Sequence, residues 1–511
     1  MSRMGSGLRK SLVLVGVLAL VVPLLFAFAA PVSAATITVC ASGCDYTTIQ
    51  AAVNDADDGD VIHVYPGTYV EQVDLSGMDS DGDITLVTVN SSDVPTPGTA
   101  TVDGGGGKGF YMSAYFDGDV TIDGFVVTSD GNGVDLDVYA NHDVVVRNVD
   151  SETDDDGIHI KMHESGGGSV LVENCVTDGN SDDGIDVRWP PNEDSPSGNL
   201  QITNCSANDN GDHGMEIDDV PGDVTITNCT TNGNGWDGVF VSGLFLYSSL
   251  GVDLNGGDVT IENCTSNGNE ESGFDPEEIR GTLSIQACIA RNNQYGVVLD
   301  DMWDAESVLV NGSIICGNEC GVYLSGFEAL LGNGGGINVE GNWWGCPGGP
   351  EAAGCDPICQ RDSIPVDFTP WIAKITDSAT VDPVSVGQPT VVSFQFSANP
   401  AAVYLGQGPG DLRGPAPFTV STDNGKLDGN GSTVHKFLGA NGTLKVTLVP
   451  EHGGTATVTV SGPCGLTDLE GSKAVVDVLE EDFVPEPGTM LLLGSGLMGL
   501  AGYAGLRLRK K

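Results

Sequence analysis

The chain has 511 residues, 73 of them Gly, and Asp+Glu outnumber Lys+Arg 71 to 20 for a formal charge of −51. Such a body repels nucleic acid and anionic lipid, which excludes both as its partners. Apolar residues make up 40% of the chain and alternate in strand fashion, so it reads as a β-rich, turn-rich protein and neither disordered nor helical.

Seven of the 20 basic residues sit at the two ends: Arg3, Arg9, Lys10, Arg507, Arg509, Lys510 and Lys511. At the N-terminus the basic start is followed by an apolar run from Ser11 to Ala30 and a small-residue cleavage site, Val32-Ser33-Ala34. Residues 1–34 are therefore expected to be a secretory signal peptide, with an uncleaved anchor as the alternative.

Residues 35–370 are expected to form a right-handed parallel β-helix. Thr48 to Ala56 (TIQAAVNDA) has apolar residues at helical spacing, and GDVIHVYPGTYVEQV then begins the strands. A short amphipathic helix there would cover the first coil and protect its open edge. Asp79-Ser80-Asp81-Gly82-Asp83 offers three carboxylates, Asp79, Asp81 and Asp83, to a calcium ion. It lacks the Glu at loop position 12 of an EF-hand, and a plain Asp/Gly turn is the alternative.

The body of this region is a repeat. NCVTDGNSDDGIDV, NCSANDNGDHGMEI, NCTTNGNGWDGVFV, NCTSNGNEESGF and ACIARNNQYGVVL align, each preceded by an alternating stretch such as VLVE or VTIT. The steps between Asn148, Asn174, Asn204, Asn228 and Asn263 are 26, 30, 24 and 35 residues. A unit of that size holds three short β-stretches and no helix, and stacked copies make a parallel β-helix. Asn suits a left-handed corner. Cys175, Cys205, Cys229, Cys264 and Cys288 are expected to point inward as small, reduced hydrophobes. Elsewhere, Cys40 with Cys44, Cys316 with Cys320, and two among Cys346, Cys355 and Cys359 are close enough in sequence to bridge, while Cys464 has no obvious partner.

Alternate residues after the repeat Gly face outward. On three successive coils these are His159, Asp186 and Glu216, and two residues on they are Lys161, Arg188 and Asp218. Asp155-Asp156, Asp182-Asp183 and Asp212-His213 lie just before the Gly, and His163 follows nearby. Insertions after Arg188 and Val241 leave the same turn and would wall a groove, with Trp189 and Trp236 placed to stack on sugar rings. The candidate catalytic set is His159, Lys161, Asp183, Asp186, Arg188 and Glu216. A lyase would use Lys161 or His159 as base and Arg188 or calcium to neutralise a sugar carboxylate. A hydrolase would use Asp186 and Glu216 as its two carboxylates. The bland alternative is a solvated face with incidental ion pairs.

From Trp371 to Val484 the pattern changes to alternating strands such as PTVVSFQFSA, GTLKVTLVP and GTATVTVSG. About seven strands over residues 371–483 predict an immunoglobulin-like β-sandwich, a stalk for the β-helix. Residues 484–511 combine Val484-Pro485-Glu486-Pro487, an uncharged run from Gly488 to Leu506 and a basic tail. The run is long enough to span a bilayer, and the basic tail would stay inside.

Two resemblances follow. The order Pro-Glu-Pro, span, basic tail resembles the PEP-CTERM sorting signal, which implies recognition and removal of the tail by an exosortase-type membrane transpeptidase. The opening TIQAAV…PGTYVE and the closing GNWWG at Gly341 to Gly345 resemble the pectate-lyase-like β-helix superfamily, which includes pectin methylesterases. None of the pectin methylesterase active-site motifs occurs, so the resemblance implies scaffold and not activity. The leading expectation is an exported, surface-held protein that binds polysaccharide in the exopolysaccharide matrix. A polysaccharide lyase or glycoside hydrolase working at the three-coil cluster is the second, and a structural adhesin the third.

Overall fold

The structure is a computed structural model that describes residues 34–480 apart from 78–81, 140, 164–166, 190–197, 244–256, 301, 303–304, 306, 326–336, 361–365, 370, 400–417, 437–442, 463 and 465–470. It divides into two compact units, one ending at Ala373 and one built from Lys374–Ser397 and residues from Ala416 on.

The first unit is a parallel β-helix with three faces. A thirteen-stranded sheet runs from Thr36–Val39 to Val366–Asp367, and an eleven-stranded sheet from Val73–Asp74 to Ile358–Gln360. The third face starts as a four-stranded sheet that ends at Asp150–Thr153. It continues through single bridges at Val176, Ser206 and Thr230 into a three-stranded sheet that ends at Ile314–Cys316. Each coil pairs in parallel with the next, as Ile185–Arg188 does with Met215–Asp218.

The repeat residues take the corners and the interior. Asn148, Asn174, Asn204, Asn228 and Asn263 all have positive φ, between 54° and 61°. Their amides also bond coil to coil: Asn204 Nδ2 donates to Asn174 Oδ1 at 3.2 Å and Asn228 Nδ2 to Asn204 Oδ1 at 3.1 Å. At the equivalent corner Ala287 takes φ 59° without such a side chain. The five repeat cysteines are buried thiols. A second column of amides was not anticipated. Asn180, Asn210, Asn234, Asn269, Asn293 and Asn318 are buried, and each backbone N–H from Asn180 to Asn293 donates to the next amide oxygen at 2.9–3.0 Å. The column ends on Asp356, whose Oδ2 accepts from the Asn318 N–H at 2.9 Å. Such bonds satisfy polar groups that burial would otherwise penalise.

The N-terminal cap forms as expected. The helix Ile49–Asp55 buries Ile49, Ala52 and Val53, and the Thr48 side chain caps it by accepting from the Ala51 N–H. Cys40–Cys44 and Cys346–Cys355 are disulfides. The expected Cys316–Cys320 bridge is wrong: Cys320 bonds Cys359, 39 residues away. Coil stacking brings Tyr323 opposite Cys359, so neighbours in space replace neighbours in sequence. Cys316 and Cys464 are also disulfide-bonded, which corrects the reading of Cys464 as unpartnered.

The second unit is the expected sandwich. A four-stranded and a five-stranded sheet enclose a core that includes Phe394, Phe396, Phe418, Val458 and Val476. Thr443–Val449 pairs antiparallel with Thr390–Asn399 and Lys426–Leu427, as does Phe418–Thr422 with Thr433–Lys436 and Gly454–Ser461, and Gly454–Ser461 with Lys473–Leu479, while Val384–Ser385 lies parallel to Lys473–Leu479. Nine strands replace the expected seven among the described residues, because Val384–Ser385 and Lys426–Leu427 are too short to show as alternation. Among the described residues no helix is long and apolar enough to cross a membrane. The expected signal peptide before residue 34 and the tail from residue 484 lie outside them.

Candidate functional site: a carboxylate cluster on adjacent coils

Five consecutive strands of the eleven-stranded sheet build the site: Val134–Tyr139, Ile158–His163, Ile185–Arg188, Met215–Asp218 and Val239–Ser242. Ile158, Ile160, Ile185, Val187, Met215 and Ile217 fill the interior, which turns the intervening residues outward. Register then stacks Asp135, His159, Asp186, Glu216 and Phe240 in one column. Asp137, Lys161, Arg188, Asp218 and Ser242 form the column beside it.

A third row lies just before the repeat Gly and is tied to the backbone. The Asp183 N–H donates to Asp156 Oδ1 at 3.2 Å, and the His213 N–H to Asp183 Oδ1 at 2.7 Å. The Asp237 N–H donates to His213 Nδ1 at 3.4 Å, and the Ser272 N–H to Asp237 Oδ1 at 2.7 Å. This linkage buries Asp156, Asp183, His213 and Asp237 at the edge of the outward columns.

The groups converge closely. His159 Nδ1 is 3.0 Å from Asp135 Oδ1 and its Nε2 3.5 Å from Asp186 Oδ2. Asn132 Nδ2 donates to Asp156 Oδ2 at 3.0 Å, and Lys108 pairs with Asp135. Arg188 Nε donates to Asp186 Oδ1 at 2.7 Å, while its Nη2 pairs with Glu216. Asp183, Asp186 and Glu216 each present one oxygen within 4.8 Å of the others.

Burial on this scale favours neutral carboxyls. Asp186 is pushed up to about 6 by burial, against the hydrogen bond from Arg188. Asp156 is raised by burial and by the Asp186 charge. Asp183 is raised well above the carboxylate range by burial, the Glu216 charge and a hydrogen bond shared with Glu216. For His159 burial opposes the charged form, but the bond to Asp135 and the charge of Asp186 outweigh it, so its value rises. His213 rises in the same way through Asp237.

The structure therefore brings together His159, Asp183, Asp186, Arg188 and Glu216 of the six expected residues. Lys161 stays exposed and joins none of these contacts among the described residues. Asp186 and Glu216 do not face each other freely, since both bind Arg188; the carboxyl hydrogen-bonded to Glu216 is that of Asp183. Asp135, Asn132 and Lys108 were missed, although Asp135 sits one coil before His159 at the same outward parity. Trp189 is corrected: it is 2% exposed and cannot stack on a ligand. Its position after Ile185 and Val187 is of inward parity. Trp236 is 52% exposed, as a stacking residue needs.

Four cation-sized groups lie in or beside the cluster among the described residues: Asp156 with His159 and Asp186, Asp183 with Asp186 and Glu216, Asp183 with Asp212 and His213, and Asp155 with Asp156 and Asp182. Of the expected calcium ligands, Asp79 and Asp81 lie outside the described residues. Asp83 Oδ1 accepts the Asp119 N–H at 3.0 Å and groups with Asp119 and His142. The insertions expected to wall the groove lie almost wholly outside the described residues.

Comparison with known proteins agrees with the fold. The family described as right handed beta helix region matches residues 87–252, and the PEP-CTERM protein-sorting motif matches residues 483–510. A search of curated proteins found no match. Among solved structures, pectate lyase Pel9A is 17% identical with a TM-score of 0.30, covering 66% of this chain and 80% of its own. The mannuronan C-5 epimerase AlgE6 A-module of Azotobacter vinelandii is 18% identical with a TM-score of 0.38, covering 57% and 81%. The tailspike protein gp49 of Acinetobacter baumannii bacteriophage Fri1, a capsular polysaccharide depolymerase, is 12% identical with a TM-score of 0.23, covering 82% and 81%. The chain is a right-handed parallel β-helix protein with a C-terminal PEP-CTERM sorting motif, the mark of an exported protein processed at that end by an exosortase-type enzyme.

Proposed function

We propose that this protein hydrolyses a neutral polysaccharide held along the eleven-stranded sheet, at the cell surface or in the surrounding matrix. The observation that carries the reading is the trio Asp183, Asp186 and Glu216, with oxygens within 4.8 Å of one another and the carboxyls of Asp183 and Asp186 raised by burial. Binding alone has no need of carboxyls that hold protons near neutrality, whereas glycosidic cleavage needs a proton donor and a nearby carboxylate. The close spacing suits the retaining geometry, in which the two carboxyls lie ~5 Å apart.

The roles follow from exposure and partners. Glu216 is the most exposed of the three and meets the leaving oxygen, relaying to it the proton held by the raised carboxyl of Asp183 beside it. Asp186, buried behind Glu216 and oriented by Arg188 and His159, stabilises through space the positive charge that develops at the sugar carbon, and water then adds there from the side the leaving group has left, giving its proton to Glu216. His159 and Asp135 fix that carboxylate in place. A lyase reading is weaker, because Arg188 is already engaged by Asp186 and Glu216 and is not open to a uronate.

The test is a panel of neutral and uronate polysaccharides incubated with the full chain, reading reducing ends and absorbance at 235 nm. New reducing ends on a neutral glycan, abolished in Glu216→Gln, support the reading. Unsaturated products point to a lyase. Glycan binding with no product from any substrate leaves a binding protein and removes the hydrolase.

A further inference from the structure

The cluster is flanked along the helix axis by two sets of aromatic rings. On the near side, Tyr115 is 56% exposed and stacks on His163 with centroids 4.0 Å apart and planes at 29°. Tyr139 meets the Tyr115 ring edge-on at 5.8 Å, and Asp137 holds His163 through Nε2 at 2.7 Å. The bridge between Phe116 and Val138 sets the register, so with Phe116 buried Tyr115 points outward on the cluster's own face. On the far side, Trp236 is 52% exposed and packs edge-on against His213, which itself stacks on Phe240 at 5.2 Å. Ion pairing with Asp237 holds that imidazole as Asp137 holds the other.

We propose that Tyr115 and Trp236 are the two ends of one oligosaccharide-binding track that crosses the carboxylate cluster obliquely to the helix axis. The proposal rests on the hydrolase or glycan-binding reading of the cluster and adds the ligand's direction, its minimum length and a second stacking residue. Four coil steps separate the strand of Tyr139 from that of Phe240, about 19 Å along the axis at the ~4.8 Å spacing of adjacent strands, and the two ring sets are also offset across the sheet, since Tyr139 lies after the strand position of Asp135 and Trp236 before that of Phe240. A few sugar rings laid lengthwise reach both ends, while a monosaccharide reaches neither from the centre. Rings locked by stacking and by an ion pair present a rigid apolar plane, as sugar faces require. Anchors at both ends also suit a glycan without charge, since the intervening surface carries Asp137, Glu216 and Asp218, and of its cations Lys161 and Arg188 the second is already ion-paired.

Titration of the full chain with ladders of β-1,4-glucan, β-1,3-glucan, α-1,4-glucan and mannan oligosaccharides of increasing length tests the track. Affinity for the accepted ladder should rise at least tenfold once the oligosaccharide spans both platforms. Tyr115→Ala and Trp236→Ala should each erase that step while affinity for shorter oligomers and the melting temperature stay unchanged, and Tyr115→Phe should keep it. If the parent shows the length step and Tyr115→Ala shows it equally, the track is overturned and the function reading stands. If the parent binds none of these ladders, the function reading and the track fall together.

Discussion

Raised carboxyls make a prediction about stability that is independent of any substrate. Asp186 is 3% exposed and lies at about 6 in the folded protein against 3.8 ordinarily, so it holds its proton more tightly when folded. Its ionisation therefore costs nothing extra below pH 3.8 and opposes folding fully above about pH 6. A shift of about two units corresponds to about 3 kcal/mol at 1.36 kcal/mol per unit. His159 and His213 are raised as well, and the stability they add below 6.5 is lost as pH rises through their folded values, with the same sign. The β-helix should thus be more stable at pH 5 than at pH 8. Asp186→Asn removes the first contribution, together with the part of the Asp156 and His159 shifts that the Asp186 charge causes, while the amide oxygen still accepts from Arg188 Nε. Urea unfolding of parent and variant at pH 4, 5, 6, 7 and 8 measures it. Relative to the parent, the variant should gain about 3 kcal/mol between pH 4 and pH 7. A parent-to-variant difference that does not move with pH refutes the reasoning.

Three more outcomes follow from the scaffold. A Cβ on Gly214 would lie 2.5 Å from the Gly238 carbonyl oxygen and 2.9 Å from that of Ala207, so Gly214→Ala should destabilise by about 1–3 kcal/mol in chemical denaturation. Thiol titration of the unfolded, unreduced chain should find at least three thiols, from Cys229, Cys264 and Cys288, and Cys229→Ser should cost ~1–3 kcal/mol by burying a hydroxyl among them. Deleting Val484 to Lys511, which removes nearly all of the matched sorting motif, should move the protein from the cell fraction to the medium, as immunoblots of both fractions would show.

The scaffold was legible because each coil repeats one physical solution. An Asn at a left-handed corner, a Cys in the interior and a Gly under the next coil's carbonyl recur in the text and occupy those places in the structure. The buried amide column from Asn180 to Asn318 was equally visible as a recurring Asn, yet polar residues in a turn read as exposed until stacking is known. The site was half legible. Strand parity found His159, Asp186 and Glu216, but exposure does not follow from parity: neighbouring coils 4.8 Å apart cover a short Asp while leaving a longer Glu reachable. Parity applied one residue further would have turned Trp189 inward. The Cys320–Cys359 bond and the Tyr115–His163 stack join coils through turns of irregular length, which sequence spacing does not measure.

The most direct test of the central claim is the anomeric form of the first product released by the full chain from the neutral glycan it accepts, followed by proton NMR. The account predicts a product that keeps the anomeric configuration of the substrate, with release lost in Glu216→Gln and in Asp183→Asn. Release that persists unchanged in both variants, or an inverted product, would contradict it.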